Sequence, residues 1–216
     1  MSCSEIINIC VSVVSIFIAL LALFQTKRQI TLSNKQQLFD RRLARYLEFG
    51  TIYALYTTNK NLLEGTGTFC HTNDSIFSWL TNCSDLEEMA LAISNPLHQK
   101  EQKVFLTKYE QLKNAAIEIS MIFDGSVAKI AEDFIASYAD LLIAMYQQQV
   151  YISKLKERNE KAPLMLEDYE SKCNKMAEEL GLFKIRDNLR LLADEIVKKG
   201  IIEEMKDSLR LTKVTR

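Results

Sequence analysis

From Ile6 to Phe24 the chain runs nineteen residues without a charge, a glycine or a proline. At about 1.5 Å per residue such a run is roughly 28 Å long as a helix, close to the hydrocarbon thickness of a bilayer. The run predicts a single membrane span at the N-terminus, with the rest of the chain behind it. A cleaved signal would start with a basic segment and end at a small-residue site. Here the leading residues are MSCSE, with Glu5 and no Lys or Arg, and Cys3 and Cys10 fall too early for a lipoprotein. The basic residues come after the run: Lys27, Arg28, Lys35, Arg41, Arg42 and Arg45. That bias predicts an N-terminus outside and a C-terminal domain in the cytoplasm.

Behind the run the chain reads as helix. Hydrophobic residues make up 48%, enough for a core, while six Gly and two Pro are too few for the turns of an all-β domain. From Gln25 to Leu63 there is no Pro, so one helix is expected from about Glu5 to Glu64. Phe39, Leu43, Tyr46, Leu47, Gly50, Tyr53 and Ala54 recur on one face and are its expected buried side. Gly65-Thr66-Gly67-Thr68 ends it, and a loop over 65–74 follows. Short helices are expected over 75–82 and 85–94, the second opened by a Ser84-Asp85-Leu86-Glu87 capping box. Asn95-Pro96 is read as cap and first helical residue of a helix over 96–123. Further helices are expected over 127–160, ended by Ala162-Pro163, then 163–180, 184–199 and 201–212, with Gly181 and Gly200 as C-terminal caps. Val127, Ile130, Phe134, Tyr138, Leu141 and Met145 form the apolar side of the longest of these. The fold class is all-α: a single N-terminal transmembrane helix continuing into a cytoplasmic helical bundle. The expected divisions are a span over 1–24, a juxtamembrane helical stalk over 25–64 and an α-helical domain over 65–216.

The five cysteines (Cys3, Cys10, Cys70, Cys83 and Cys173) are odd in number and irregular in spacing, which suits a reducing compartment. Cys70-His71 with Cys83 is the nearest thing to a ligand cluster, but structural zinc takes four paired ligands and the only other histidine is His98. No metal and no cofactor is expected. The net charge of −1 hides an asymmetry. Residues 25–60 carry seven basic and two acidic side chains, residues 61–183 eleven and nineteen, residues 184–216 nine and six. Topology and anionic lipid account for the first basic block.

Within the apolar run, Asn8, Ser12, Ser15, Ala19 and Ala22 are spaced 4, 3, 4, 3, and the stripe continues through Thr26, Gln29, Ser33 and Gln36. The opposite face is Ile, Val, Phe and Leu. Small and polar residues on one side of a span allow close helix approach and inter-helix hydrogen bonds. A heptad period favours a left-handed bundle. With one span per chain, the simplest partner is another copy, and a homo-oligomer is expected. Two readings remain open. The stripe is helix packing alone, or four or more copies surround an axis lined by Asn8, Ser12, Ser15 and Thr26. No charged ring is present to select strongly among ions.

No catalytic motif is found. Gly65-Thr66-Gly67 lacks the strand and third glycine of a nucleotide-binding turn. The Glu87-Glu88, Glu178-Glu179 and Glu203-Glu204 pairs point different ways on a helix. For binding, Lys184, Arg186 and Arg190 open one helix and are followed by Lys198, Lys199, Lys206, Arg210, Lys213 and Arg216; Lys154, Lys156, Arg158 and Lys161 end the preceding long helix. In a symmetric assembly these would converge on a polyanion. Interleaved Asp187, Asp194 and Glu195 give the opposing reading, a salt-bridged surface.

The segment Lys35-Gln36-Gln37-Leu38-Phe39-Asp40-Arg41-Arg42, shortly after a lone N-terminal span, resembles small single-span bacterial membrane proteins of antiphage defence. The overall plan is similar to the transmembrane effector of the Hailong defence system. This resemblance implies a homo-oligomeric effector, a tetramer or similar, that permeabilises the bacterial inner membrane. It also implies control by an oligonucleotide from a partner nucleotidyltransferase, bound to the cytoplasmic domain. It carries over no ligand-contacting residue. The alternative is a membrane-tethered helical scaffold without a pore.

Overall fold

The computed structural model describes residues 3–65 and 69–209, and before Ser12 only the side chains of Ser4 and Asn8. Among them there are eight helices and no strand: α1 (Cys3–Gly65), α2 (Asn73–Leu80), α3 (Glu87–Ser94), α4 (Gln99–Ile122), α5 (Gly125–Lys161), α6 (Leu166–Glu179), α7 (Leu182–Lys199) and α8 (Ile201–Ser208). Two compact units divide the chain, Met1–Arg41 and Arg42–Arg216.

In the first unit, α1 is one uninterrupted helix whose described side chains are nearly all exposed. α1 is the one helix among the described residues that is long and apolar enough to cross a membrane.

The second unit is a bundle organised around α5, which is buried along much of its length and packs against α2, α3, α4, α6, α7 and α8. Val127, Ile130, Phe134, Tyr138, Leu141 and Met145 all lie in the core. Phe134 is the hub of an aromatic cluster: the rings of Phe49, Tyr53, Tyr56 and Tyr138 lie 5.6–6.4 Å from it. Edge-on and tilted contacts of this kind add to the area term of burial.

Helix ends follow the chemistry of the chain, with three corrections. Gly181 and Gly200 adopt left-handed φ values of 70° and 61°, which only glycine takes up at low cost, and so separate α6, α7 and α8. The Ser84–Glu87 capping box does not form. The carbonyl of Cys83 instead accepts from the backbone N–H groups of Leu86 (3.1 Å) and Glu87 (2.8 Å), and α3 begins at Glu87. Asn95-Pro96 makes a turn rather than a helix start: the Asn95 carbonyl accepts from the His98 N–H at 3.0 Å and α4 starts at Gln99. Pro suits the second position of a β-turn as well as the first turn of a helix, and here the turn prevails. Third, the buried side of α1 is rotated from the expected one. Phe49, Ile52, Tyr56 and Leu63 enter the core and Tyr46 and Tyr53 pack against it, whereas Leu47 and Ala54 face solvent. The cause is that Arg45 and Glu48 sit half-buried beside the core, where Arg45 pairs with both Glu48 and Glu118. Charges that read as an outward face are therefore on the inward one. Residues 210–212 of the last expected helix lie outside the described residues.

Candidate functional site

On a helix of 3.6 residues per turn, Asn8, Ser12, Ser15, Ala19, Ala22 and Thr26 fall within an arc of about 80°. All six lie on α1 and all are exposed. The hydroxyls are not idle. Ser12 Oγ donates to the Asn8 carbonyl at 2.9 Å, and Thr26 Oγ1 donates to the Ala22 carbonyl at 2.8 Å. Each hydroxyl proton is thus spent on the helix's own backbone, lowering the cost of placing it in an apolar medium. The oxygen lone pairs remain on the stripe as acceptors.

The basic trio is less convergent. Lys184, Arg186 and Arg190 all lie on α7. Arg186 and Arg190 are a turn apart on one side, but Lys184 is turned roughly 160° from Arg186 and roughly 120° from Arg190 at about 100° per residue. Arg186 lies over the Phe183 ring, 5.3 Å from its centroid, and its Nε is 3.4 Å from Asp187. Arg190 is exposed and its charge reaches buried Tyr56. Lys184 is exposed at the start of the helix. The structure joins two of the three residues and separates the third. Arg210, Lys213 and Arg216 lie outside the described residues.

Cys70 and Cys83 are not brought together. Cys83 packs against the main core, while buried Cys70 belongs to a separate small cluster with Ile152, Leu155, Tyr169 and Cys173. There the Cys70 and Cys173 thiols interact directly, 103 positions apart in sequence. Burial pushes the Cys173 thiol up to about 12 and raises Cys70 too. His71 Nε2 lies 3.1 Å from Glu170 beside the pair. Among the described residues no three His, Cys, Asp or Glu side chains gather as a metal site would require.

Two surface features have no counterpart in the motif reading. A polar cleft of about 570 Å³ is lined by Arg45, Glu48 and Thr51 of α1, Asp85, and Lys108 and Gln111 of α4. Its charges are largely spent within the protein: Arg45 lies 2.9 Å from Glu118, and Lys108 lies 3.7 Å from Glu88. Burial raises the Glu48 carboxyl against the pull of Arg45. Beside it, a more apolar groove of about 520 Å³ runs along Thr51, Ala54, Leu55, Thr58 and Leu62 to Trp79. Its signal was available as the spacing of uncharged residues on α1, once the inward side of that helix was known.

No family model, characterised protein or solved structure matches the chain.

Proposed function

We propose that the chain is a membrane-anchored, homo-oligomeric effector that permeabilises a bacterial inner membrane. The spans form the pore, and a ligand or partner bound to the helical domain gates it. The observation that carries this reading is the stripe from Asn8 to Thr26 on a helix that continues unbroken to Gly65. A lone lipid-facing span has no use for one small and polar side, whereas a bundle of spans does. The same helix that carries the stripe also supplies Phe49, Ile52, Tyr56 and Leu63 to the core of the second unit. A ligand that binds two arrangements of that unit unequally would therefore bias the spans. In this reading the N-terminus is outside, the second unit is cytoplasmic and no catalytic step is involved. An oligonucleotide made by a nucleotidyltransferase partner is the proposed ligand. Its support is the resemblance to antiphage effectors and the exposed cations of α7.

The self-bonded hydroxyls favour a second reading. Ser12 and Thr26 already donate to their own backbone, which suits tight packing of spans in a tethered scaffold with no pore.

The experiment is membrane potential, read with a voltage-sensitive dye in bacteria induced to express the chain. Depolarisation that disappears in the Ser12→Leu/Ser15→Leu double variant, at equal expression and membrane targeting, is the expected result. Depolarisation retained by that variant removes the polar pore. Function retained by a chain beginning at Thr31 identifies the scaffold.

A further inference from the structure

The second unit carries an uncharged face that the bundle leaves outward. Between Arg42 and Gly65, α1 has five charged side chains: Arg42, Arg45, Glu48, Lys60 and Glu64. Arg42, Arg45 and Lys60 reach residues of the bundle, and Glu48 and Glu64 pair with Arg45 and Lys60 on α1 itself. Arg42 donates from Nε to the Ile122 carbonyl at 2.6 Å and lies 3.6 Å from Asp124. Arg45 pairs with Glu48 and Glu118, and Lys60 lies 3.5 Å from Asp194 and 4.0 Å from Glu64. What remains outward is Leu47, Thr51, Ala54, Thr58 and Asn61, spaced 4, 3, 4, 3, with Leu62 at their edge. Leu47 is 58% exposed, Leu62 43% and the neighbouring Trp79 46%. Thr51 Oγ1 donates to the Leu47 carbonyl at 3.0 Å, so its hydroxyl proton is already satisfied. Asn59 Nδ2 donates to the Leu55 and Trp79 carbonyls, at 2.9 and 3.3 Å, and holds the Trp79 segment against the groove.

We infer that this face is a homotypic interface, which docks the same face of a second copy lying parallel to it. The parallel orientation rests on the membrane anchoring proposed above, because copies inserted in one bilayer point the same way. In a parallel pair of identical helices, each seam residue meets its own counterpart. Any charge on the seam would then face a like charge, and only an uncharged strip escapes that penalty. The nearest charges, Arg45, Glu48, Asp85 and Lys108, lie in the adjoining cleft, where Arg45 pairs with Glu48 and Glu118 and Lys108 with Glu88. The alternating 4 and 3 spacing is the period of left-handed helix pairing, and Ala54 and the threonines permit close approach. Trp79 supplies the kind of large, half-exposed aromatic that anchors interfaces.

The test uses the full chain in native membranes, with a photo-activated benzophenone amino acid placed singly at Ala54, Thr58, Ser15 and, as control, exposed Thr107 on α4. Adducts of twice the chain mass at Ala54 and Thr58 but not at Thr107 are expected. In nanodiscs, Thr58→Arg should weaken self-association at least ~10-fold while Thr107→Arg leaves it unchanged, with the melting temperature unaltered in both. Self-adducts at Ser15 alone overturn the interface and leave the oligomeric pore standing. An adduct at Ala54 or Thr58 with a protein of another mass in place of the dimer overturns it as well. Self-adducts on the strip in cells that keep their membrane potential uphold the interface and remove the pore. No self-adduct at any position removes both.

Discussion

The two units treat their apolar residues in opposite ways. In Met1–Arg41, Phe17 is 63% exposed and Phe24 68%, although Phe17 has Ile16 and Ile18 beside it and Phe24 follows Leu20, Leu21 and Leu23. In Arg42–Arg216, Phe49, Phe77, Phe105 and Phe134 are fully buried. The helix that carries Phe17 also carries Phe49, so helix propensity does not distinguish them. The bundle makes its own apolar environment, and the first unit needs one supplied from outside. Large exposed apolar surfaces of this kind mark membrane or protein contact.

Four changes would break or sharpen that contrast. Phe134→Ala removes the ring that four other aromatics surround. It should cost the bundle about 3–5 kcal/mol, read by denaturant unfolding, and leave membrane association intact. Phe17→Arg should do the reverse: a penalty of roughly 3 kcal/mol on insertion, seen as chain moving to the soluble fraction, with the melting temperature of the bundle unchanged. A bundle that melts earlier in that variant would mean the units are not separable. Alkali should destabilise the second unit, and more gradually. Burial pushes Tyr56, Tyr169 and Cys173 each up to about 12, from ordinary values of 10.0, 10.0 and 9.0. Their neutral forms are favoured in the fold, so that contribution is complete below pH 9 and is lost as pH rises to about 12. The melting temperature should fall across that window, and a flat profile would contradict their burial. Lys60→Ala should have the least effect, less than about 1 kcal/mol, because its pairs with Asp194 and Glu64 are partly exposed.

Much of the fold was legible because its punctuation is local. Gly65, Pro163, Gly181 and Gly200 each act within a turn of where they stand, and the helices end beside them. The all-α class and the long first helix follow from the same signals. The inward side of α1 was legible only in part, at Tyr46 and Tyr53. Arg45 is held by Glu118, 73 positions away, and Lys60 by Asp194, 134 away, so charges that look like a solvent face are turned towards the bundle. At Asn95-Pro96 two local motifs compete for the same residues and composition does not decide between them. Of the candidate sites, the stripe needs only helix periodicity and is visible in the chain. The α1 side of the Trp79 groove is spaced out in the chain, but its other side comes from Trp79, and only the fold brings the two stretches together.

The paired thiols give the molecule a chemical record of its address. Cys70 and Cys173 meet only after folding, and folding then encloses them. In a compartment that supplies a disulfide oxidant, exchange with it would join the two sulfurs as the bundle closes, each thiol losing one hydrogen and the oxidant leaving as its dithiol. In a reducing one they would be sealed as thiols. The intact mass of the purified chain, two daltons apart between these histories, therefore reports whether the compartment in which the bundle folded was oxidising or reducing.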